Sequence, residues 1–302
     1  MGQDSRRPAT RRRSPTAGYG LINIAAAIAR TTRRHPPTPL PSADMRWNLR
    51  AVNAPSAWAS GARGQGQVVA VIDTGVDLNH PDLRRNLWRN RDEIPGNGVD
   101  DDRNGFVDDH RGWDFVRHRP RPQDSNGHGT HVAGIIAAAD NGKGTTGVAP
   151  LARIMPIRVL GPNGADDVTL ARGIRYAVRN GANVINLSLG GEPGMRVSPV
   201  VRRSLHLARR RGVSVVLAAG NERRAGAIRS GEPAFWAATR RLGIAVGATT
   251  IANRTADFSN PTGNSRFNWF VVAPGKGVTS TFLGGRVTTL SGTSMAVPHV
   301  AG

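Results

Sequence analysis

Short apolar runs alternate with amphipathic segments along most of the chain. The apolar runs, rich in Val, Ile, Leu and Ala, lie near 67–73, 153–159, 183–187, 213–218 and 243–247. The segments with helical spacing of apolar residues are 129–139, 166–179 and 198–211. Strands that alternate with helices favour a parallel sheet with helices on both faces. The pattern therefore predicts an α/β fold, a three-layer sandwich around a mostly parallel central sheet.

A carboxylate follows the first apolar run. Asp73 comes directly after this buried-strand pattern and is followed by Thr74 and Gly75. Functional sites in open α/β sheets are built at the carboxyl edge of the strands. Asp73 is therefore a candidate site residue, with a turn-forming Asp as the alternative.

Two histidines open the first predicted helix. His128 lies at its entry and His131 within its first turn. Two His residues three apart, with no nearby Glu or Cys, do not complete a zinc set. This leaves His128 as a candidate general base, and we expect His131 to be a packed, hydrogen-bonded residue.

A serine near the end of the chain has the context of a nucleophile. Gly292 and Thr293 form a small turn before Ser294, where an apolar helical pattern begins. A serine at a helix start has an exposed hydroxyl, and backbone N–H groups there are free to stabilise an anion. The chain thus offers an acid, a base and a nucleophile in the order Asp…His…Ser, one of the known orders of a catalytic triad.

These segments resemble a known family. Asp73-Thr74-Gly75, His128-Gly129-Thr130-His131 and Gly292-Thr293-Ser294-Met295-Ala296 resemble the three signature blocks of subtilisin-like serine proteases, from about residue 47 to the last residue. The resemblance implies a serine endopeptidase with Ser294 as nucleophile, His128 as base and Asp73 as the group that orients His128. It also implies that Asn221, which follows another strand pattern, donates a hydrogen bond to the oxyanion; an ordinary turn Asn is the alternative.

Glycine-rich segments are candidates for binding an extended substrate. Leu187–Gly191 contains Ser188, Leu189 and Gly190, and Leu160–Gly164 contains Gly161. Their glycines allow close approach of a peptide backbone. The resemblance places Glu222 near the rim of the pocket for the residue before the cut, with 230–234 as its floor, and Gly220 is a further candidate for binding substrate. Glu222 and Glu232 there suggest tolerance of basic side chains.

An acidic loop predicts a calcium site. Asp100, Asp102 and Asn104 place oxygen ligands at alternate positions before a Gly, as at the start of a calcium loop. The twelfth position is Arg111, so the loop is not an EF-hand, and Asp108 or Asp109 would close the site. A solvated acidic loop is the alternative.

The resemblance implies a second calcium site after the His helix. Its side-chain ligands would be Asp82 and Asn141. Its carbonyl ligands would come from Ala139, Lys143 and Thr145. Calcium is therefore the expected structural cofactor.

Composition limits the partners. The 302 residues carry a formal net charge of +20, almost wholly from Arg, and contain no cysteine. The charge alone suggests a polyanion, but the arginines are scattered and no nucleic-acid module is recognisable. We therefore expect a polypeptide substrate and no specific nucleic acid. A basic polyanion-binding protein without peptidase activity is an alternative.

No apolar run is long enough to cross a membrane. The resemblance implies a secreted or extracytoplasmic protein.

The two ends differ from the family pattern. We interpret residues 1–45 as a basic arm, which includes Arg11–Arg13, followed by a Pro-rich linker. Residues 46–302 are interpreted as a peptidase domain that stops within its last helix. An inactive fragment is thus a further alternative. Ala17–Ala27 looks like the segment that normally closes such a domain. It could dock from the front of the chain, be the remnant of a preceding domain or belong to an export signal.

Overall fold

One parallel sheet forms the centre of the protein. The computed structural model describes residues 14–32, 47–264 and 269–302. The strands are β1 (Val68–Asp73), β2 (Trp113–Asp114), β3 (Arg153–Arg158), β4 (Val184–Leu187), β5 (Ser214–Ala218), β6 (Ile244–Thr249), β7 (Phe270–Pro274), β8 (Val278–Phe282) and β9 (Arg286–Leu290). Seven of them pair in parallel in the order β2-β3-β1-β4-β5-β6-β7, and β8 and β9 form an antiparallel hairpin.

Helices cover both faces of the sheet. The α-helices of the described residues are α1 (Ile24–Thr32), α2 (Trp47–Ala51), α3 (Ala54–Ala59), α4 (His128–Ala137), α5 (Asp167–Arg179), α6 (Pro199–Arg210), α7 (Ala234–Thr239) and α8 (Thr293–Ala301). Alternate residues of β1 enter two different cores: Ala70 and Ile72 pack with α5, α6 and α7, whereas Val69 and Val71 pack with α4 and α8. The three-layer α/β fold is thereby confirmed.

The predicted elements are present with small shifts at their ends. All five predicted strands and all three predicted helices are found. The sequence analysis missed β2, β7 and the hairpin. Strand β2 has only two residues, which is too short to show a periodic pattern of apolar residues. The strands of the hairpin contain several Thr and Ser residues and few apolar ones, so they do not form an apolar run.

The N-terminal segment adds to the sheet at its β7 edge. Tyr19 N donates to Phe270 O at 2.9 Å, and Val272 N donates to Gly20 O at 3.0 Å. Leu21 forms a parallel bridge with Val272, after which α1 packs on α3. Residues 14–32 therefore lie against the domain, while Arg11–Arg13 and residues 33–45 of the predicted linker lie outside the described residues.

The short α8 is held by packing. It has nine residues, with Pro298 inside it, and an isolated helix of that length is marginal in water. Met295, Ala296 and Val297 are buried between α4 and the sheet. Tertiary contacts therefore stabilise the helix that carries Ser294.

Candidate active site

The end of β1 and the start of α4 bring Asp73 and His128 together. His128 Nδ1 lies 2.8 Å from Asp73 Oδ1, which also accepts the N–H of Thr74 at 2.7 Å. The Asp73 side chain is fully buried, whereas that of His128 keeps 27 % of its surface exposed. The charge of Asp73 raises the pKa of His128; burial opposes this, while the hydrogen bond to Asp73 and the more distant charge of Asp124 add to it. This pair can hold and stabilise an imidazolium.

Asp124, which was not among the predicted residues, and Gly129, whose packing role was not predicted, set the position of α4. Asp124, which is buried, accepts hydrogen bonds from Thr74 Oγ1 at 3.0 Å and from Thr130 N at 3.0 Å, and so links the β1 turn to the helix. A Cβ on Gly129 would overlap the carbonyl oxygen of Gly75 and lie 3.1 Å from Asp73 Oδ1. Only glycine permits this approach of α4 to β1. The sequence signal was present, because both residues flank His128.

Ser294 lies in the first turn of α8, where it is hydrogen-bonded to Ser188, the residue that follows β4. Its Oγ donates to Ser188 O at 3.1 Å, and Ser188 Oγ donates to Ser294 O at 2.8 Å. Among the described residues, no hydrogen bond joins Ser294 to His128. Hydrogen bonds between a nucleophile and its base are often long or poorly aligned before substrate binds. The structure thus shows the Asp–His contact directly and holds Ser294 on a separate helix that packs against α4.

Asn221 is oriented by the turn that precedes Ser294. Its Oδ1 accepts from Thr293 N at 2.9 Å and from Thr293 Oγ1 at 3.1 Å, which leaves Nδ2 as the free donor. A Cβ built on Gly292 would lie 3.7 Å from Ser294 N and 3.8 Å from Asn221 Nδ2. Both N–H groups therefore lie within 4 Å of one position beside Gly292.

The two segments predicted to bind substrate border one cavity. It has a volume of ≈ 280 Å³, and its lining includes Leu160 and Gly164 from one segment and Leu189, Gly190 and Gly191 from the other. The predicted Gly161 closes the first loop by donating to Gly164 O at 2.9 Å. The predicted Gly220 has a φ of 99°, a conformation that favours glycine, beside Asn221.

The two carboxylates near this region are engaged within the protein. Glu222 Oε2 accepts from Asn260 Nδ2 at 2.6 Å. Glu232 lines the cavity but is only 8 % exposed, and its Oε2 accepts the N–H of Trp236 at the start of α7. Burial raises the pKa of Glu232, and the Trp236 N–H and the charge of Arg229 oppose that rise. Arg229 Nη2 lies 3.7 Å from Glu232 Oε1, so the buried Glu232 already has a basic neighbour within the protein.

A carboxylate that the sequence analysis did not include joins the acidic loop. One oxygen each of Glu93, Asp100 and Asp102 lies within 4.8 Å of the other two. Glu93 is 4 % exposed; its Oε1 accepts the N–H of Asp101 at 2.9 Å, and its buried Oε2 has no hydrogen-bond partner among the described residues. An unpartnered buried oxygen beside two carboxylates fits the preference of calcium for oxygen ligands.

The rest of the predicted loop set is arranged differently. Asp108 accepts the backbone N–H groups of residues 96–98, with Gly96 at 2.6 Å, so its carboxylate closes a turn and is not in the Glu93 group. Asn104 donates to Asp102 and to the buried Asp109, at 3.0 Å each. Asn104 and Asp109 therefore support the loop from within.

The second predicted set is partly assembled. Asn141 Nδ2 donates to Asp82 Oδ1 at 3.0 Å, and the N–H of Thr145 donates to Asp82 Oδ2 at 3.3 Å. Asp82 is 5 % exposed. Asn141 Oδ1 accepts the N–H of Lys143 at 2.9 Å, so the amide oxygen faces away from Asp82 and would have to leave this bond to reach a cation there.

The second histidine of α4 has the packed role predicted for it. His131 is fully buried, with Nε2 3.2 Å from Thr288 O. Burial lowers the pKa of His131 to about 4. Burial likewise lowers the pKa of His299, on α8, to about 4. Both imidazoles are therefore neutral at pH 7.

Taken together, a parallel α/β sheet with an Asp–His pair at its carboxyl edge and a serine at a helix start defines a hydrolase of the serine-nucleophile class. Residues 64–302 match the model of the subtilase family, peptidase S8. The chain belongs to the subtilase family of serine endopeptidases.

Curated relatives align with most of this chain. The chain is 40% identical to subtilisin Savinase of Lederbergia lenta over 257 residues, 85% of this chain and 81% of the relative. It is 40% identical to thermitase of Thermoactinomyces vulgaris over 85% of this chain and 80% of that one. It is 39% identical to the major intracellular serine protease of Bacillus subtilis, over 84% of this chain and 72% of that relative.

In the part of the chain that the structure describes, no helix is both long and apolar enough to span a membrane.

Proposed function

We propose that this subtilase hydrolyses peptide bonds through an acyl-enzyme on Ser294. His128 takes the proton of the Ser294 hydroxyl and returns it to the leaving amine, and Asp73 holds the imidazole and stabilises its charged form. The observation that carries the proposal is the 2.8 Å contact between Asp73 and His128 at the carboxyl edge of the sheet. Attack requires Ser294 Oγ to rotate from Ser188 O towards His128.

The oxyanion of the tetrahedral intermediate would lie between Asn221 Nδ2 and Ser294 N. Both donors border the space beside Gly292. Loss of one donor of this kind costs about 100- to 1000-fold in kcat. The substrate would bind in extended form between Leu160–Gly164 and Leu189–Gly191.

Peptide hydrolysis by single variants tests these roles. Ser294→Ala and His128→Ala should each lower kcat on a chromogenic peptide to background, and Asn221→Ala should lower kcat by about 100- to 1000-fold with little change in KM. Thr169→Ala, which removes a hydroxyl bonded to Asp166 outside the site, is the matched control and should retain activity. Unchanged kcat in Asn221→Ala would remove the oxyanion assignment.

We further propose a structural calcium ion held by Glu93, Asp100 and Asp102. The ion would neutralise three carboxylates that otherwise repel each other in a partly buried loop. Glu93→Gln should abolish most of the rise in unfolding temperature that calcium gives to the native protein. Asp92→Asn, which changes the exposed neighbouring carboxylate, should preserve it. An equal rise in both variants would contradict the site.

The Asp82–Asn141 pair is proposed as a second, weaker position for the same kind of ion, because Asn141 must turn before its oxygen can bind.

The location of this protein outside the cytoplasm stays a prediction, since one relative is named an intracellular protease. Cell fractionation with an antibody to the protein would decide it.

A further inference from the structure

A second cavity lies away from the substrate region, between α5 and the segment that contains β2. Its volume is ≈ 330 Å³. One part of its lining is aromatic: Phe106, Trp113, Phe115 and Tyr176. The other part is cationic or ionisable: His118, Arg172, Arg175 and Arg179.

The three guanidinium groups of this cavity have no carboxylate partner in the part of the chain that the structure describes. Among residues 14–32, 47–264 and 269–302, no carboxylate oxygen lies within 4.0 Å of the side-chain nitrogens of Arg172, Arg175 or Arg179. Partial burial and the charges of Arg179, Arg172 and Arg203 lower the pKa of Arg175. Three like charges thus lie close together on one helix, with Arg172 and Arg179 exposed and Arg175 half-buried.

The buried carboxylate of Asp109 near this cavity already has hydrogen-bond donors from within the protein. Asp109 is fully buried and accepts from the hydroxyl of Tyr176 at 2.6 Å and from Asn90 and Asn104 at 2.8 and 3.0 Å. Its carboxylate therefore binds the buried end of Tyr176, while other atoms of that residue line the cavity. The arginines stay available to a ligand.

The arrangement of the arginines matches a phosphate chain. They stand at positions i, i+3 and i+7 of α5, on one face, and span about 10 Å along the helix axis. Guanidinium groups form bidentate hydrogen bonds with phosphate oxygens and stack on flat rings, and aromatic side chains provide a wall for such a ring. We infer that this cavity binds a small soluble organic phosphate of nucleotide size.

The location favours a small molecule over a tail of the peptide substrate. Asp167 and Leu170 of the same helix line the substrate cavity. At about 100° per residue, their mean direction lies roughly 140° around the helix from that of the arginines. A peptide leaving the substrate cavity would have to pass around α5 to reach the arginines. The inference is thus independent of the proposed catalytic roles.

The test uses ADP as the probe, adenosine as its uncharged counterpart and a triglutamate peptide as an acidic one, each in calcium-containing buffer of constant ionic strength. ADP should raise the unfolding temperature of the native protein by at least about 2 °C at saturation, and adenosine should not. The variant Arg172→Gln/Arg175→Gln/Arg179→Gln should lose at least tenfold in ADP affinity by calorimetry while it retains peptidase activity. Arg209→Gln/Arg210→Gln/Arg211→Gln removes three charges outside the cavity lining and should bind ADP as the native protein does.

Several results would overturn the inference. ADP affinity could fall equally in the two triple variants, which would show a general charge effect. Triglutamate could bind at the cavity more tightly than ADP, which would make an acidic peptide the occupant. If the first triple variant does not fold, Arg175→Gln alone must weaken ADP at least threefold, and an unchanged affinity there also contradicts the site.

Discussion

Gly129→Ala tests whether the close approach of α4 to β1 sets the catalytic geometry. The added Cβ would overlap the carbonyl oxygen of Gly75, a backbone atom, and would lie 3.1 Å from both Cβ and Oδ1 of Asp73. Backbone cannot move aside as a flexible side chain can. The start of α4 must therefore shift away from β1 by a distance on the order of 1 Å, and the 2.8 Å contact between His128 and Asp73 must lengthen.

The expected effects on activity and stability differ in size. A misplacement on the order of 1 Å in a catalytic group costs about 100-fold in rate. Overpacking costs about 1–3 kcal/mol of folding free energy, and replacement of a helical glycine by alanine returns up to about 1 kcal/mol. Gly129→Ala should therefore stay folded, with a net loss of about 0–2 kcal/mol, and lose about 100-fold in kcat/KM.

A second helical glycine provides the control. Gly173 on α5 is also packed against the sheet, where a Cβ would meet side-chain methyl carbons of Val159, Ile72 and Ile157 at 2.9, 3.3 and 3.4 Å. Gly173→Ala should change stability by a similar amount, measured by urea unfolding, and leave kcat/KM on a chromogenic peptide within about threefold of native. Activity of Gly129→Ala within that same range, in a folded protein, would refute the reasoning.

Three further predictions follow from the same structure. Asp73→Asn should lower kcat by about 10⁴-fold and move the acidic limb of the pH–rate profile to lower pH, because Asp73 raises the pKa of His128; an unmoved limb would argue against the pair. The pKa values of His131 and His299 lie near 4 in the folded state and near 6.5 unfolded, so stability should be lost as the pH falls from about 6.5 to about 4, by up to roughly 3 kcal/mol for each. Urea unfolding at several pH values measures this loss, which His299→Gln should reduce. Deletion of residues 1–32 exposes the β7 edge and should lower the urea midpoint, and an unchanged midpoint would show that the segment adds no stability.

The regular elements were predictable because each one has a period or a length that the sequence displays. The strand that ends at Asp73 is a continuous apolar run, and α4 and α5 repeat apolar residues at helical spacing. The hairpin β8–β9 was not predictable in this way. It presents hydroxyl groups to α4: Ser280 Oγ and Thr281 Oγ1 donate to carbonyls of that helix at 2.8 and 2.7 Å.

In the candidate site too, some features were predictable from the sequence and others were not. The pairing of Asp73 and His128 was expected from their motifs, and the structure brings them into contact. The role of Glu93 could not be read from spacing, because it joins Asp100 and Asp102 only when the chain folds back over seven residues. Asp108 fits the ligand spacing, but the N–H groups of the turn at 96–98 take its carboxylate instead. Spacing along the chain indicates which side chains could meet, and the path of the folded loop determines which ones do.

Covalent labelling by a serine-directed phosphonate, with the modified peptide mapped by mass spectrometry, tests most directly whether Ser294 is the nucleophile activated by His128. The account predicts one label per chain, on Ser294, with loss of labelling in His128→Ala and of peptidase activity in proportion to labelling. A label on another serine, or peptide hydrolysis that survives full modification of Ser294, would contradict it.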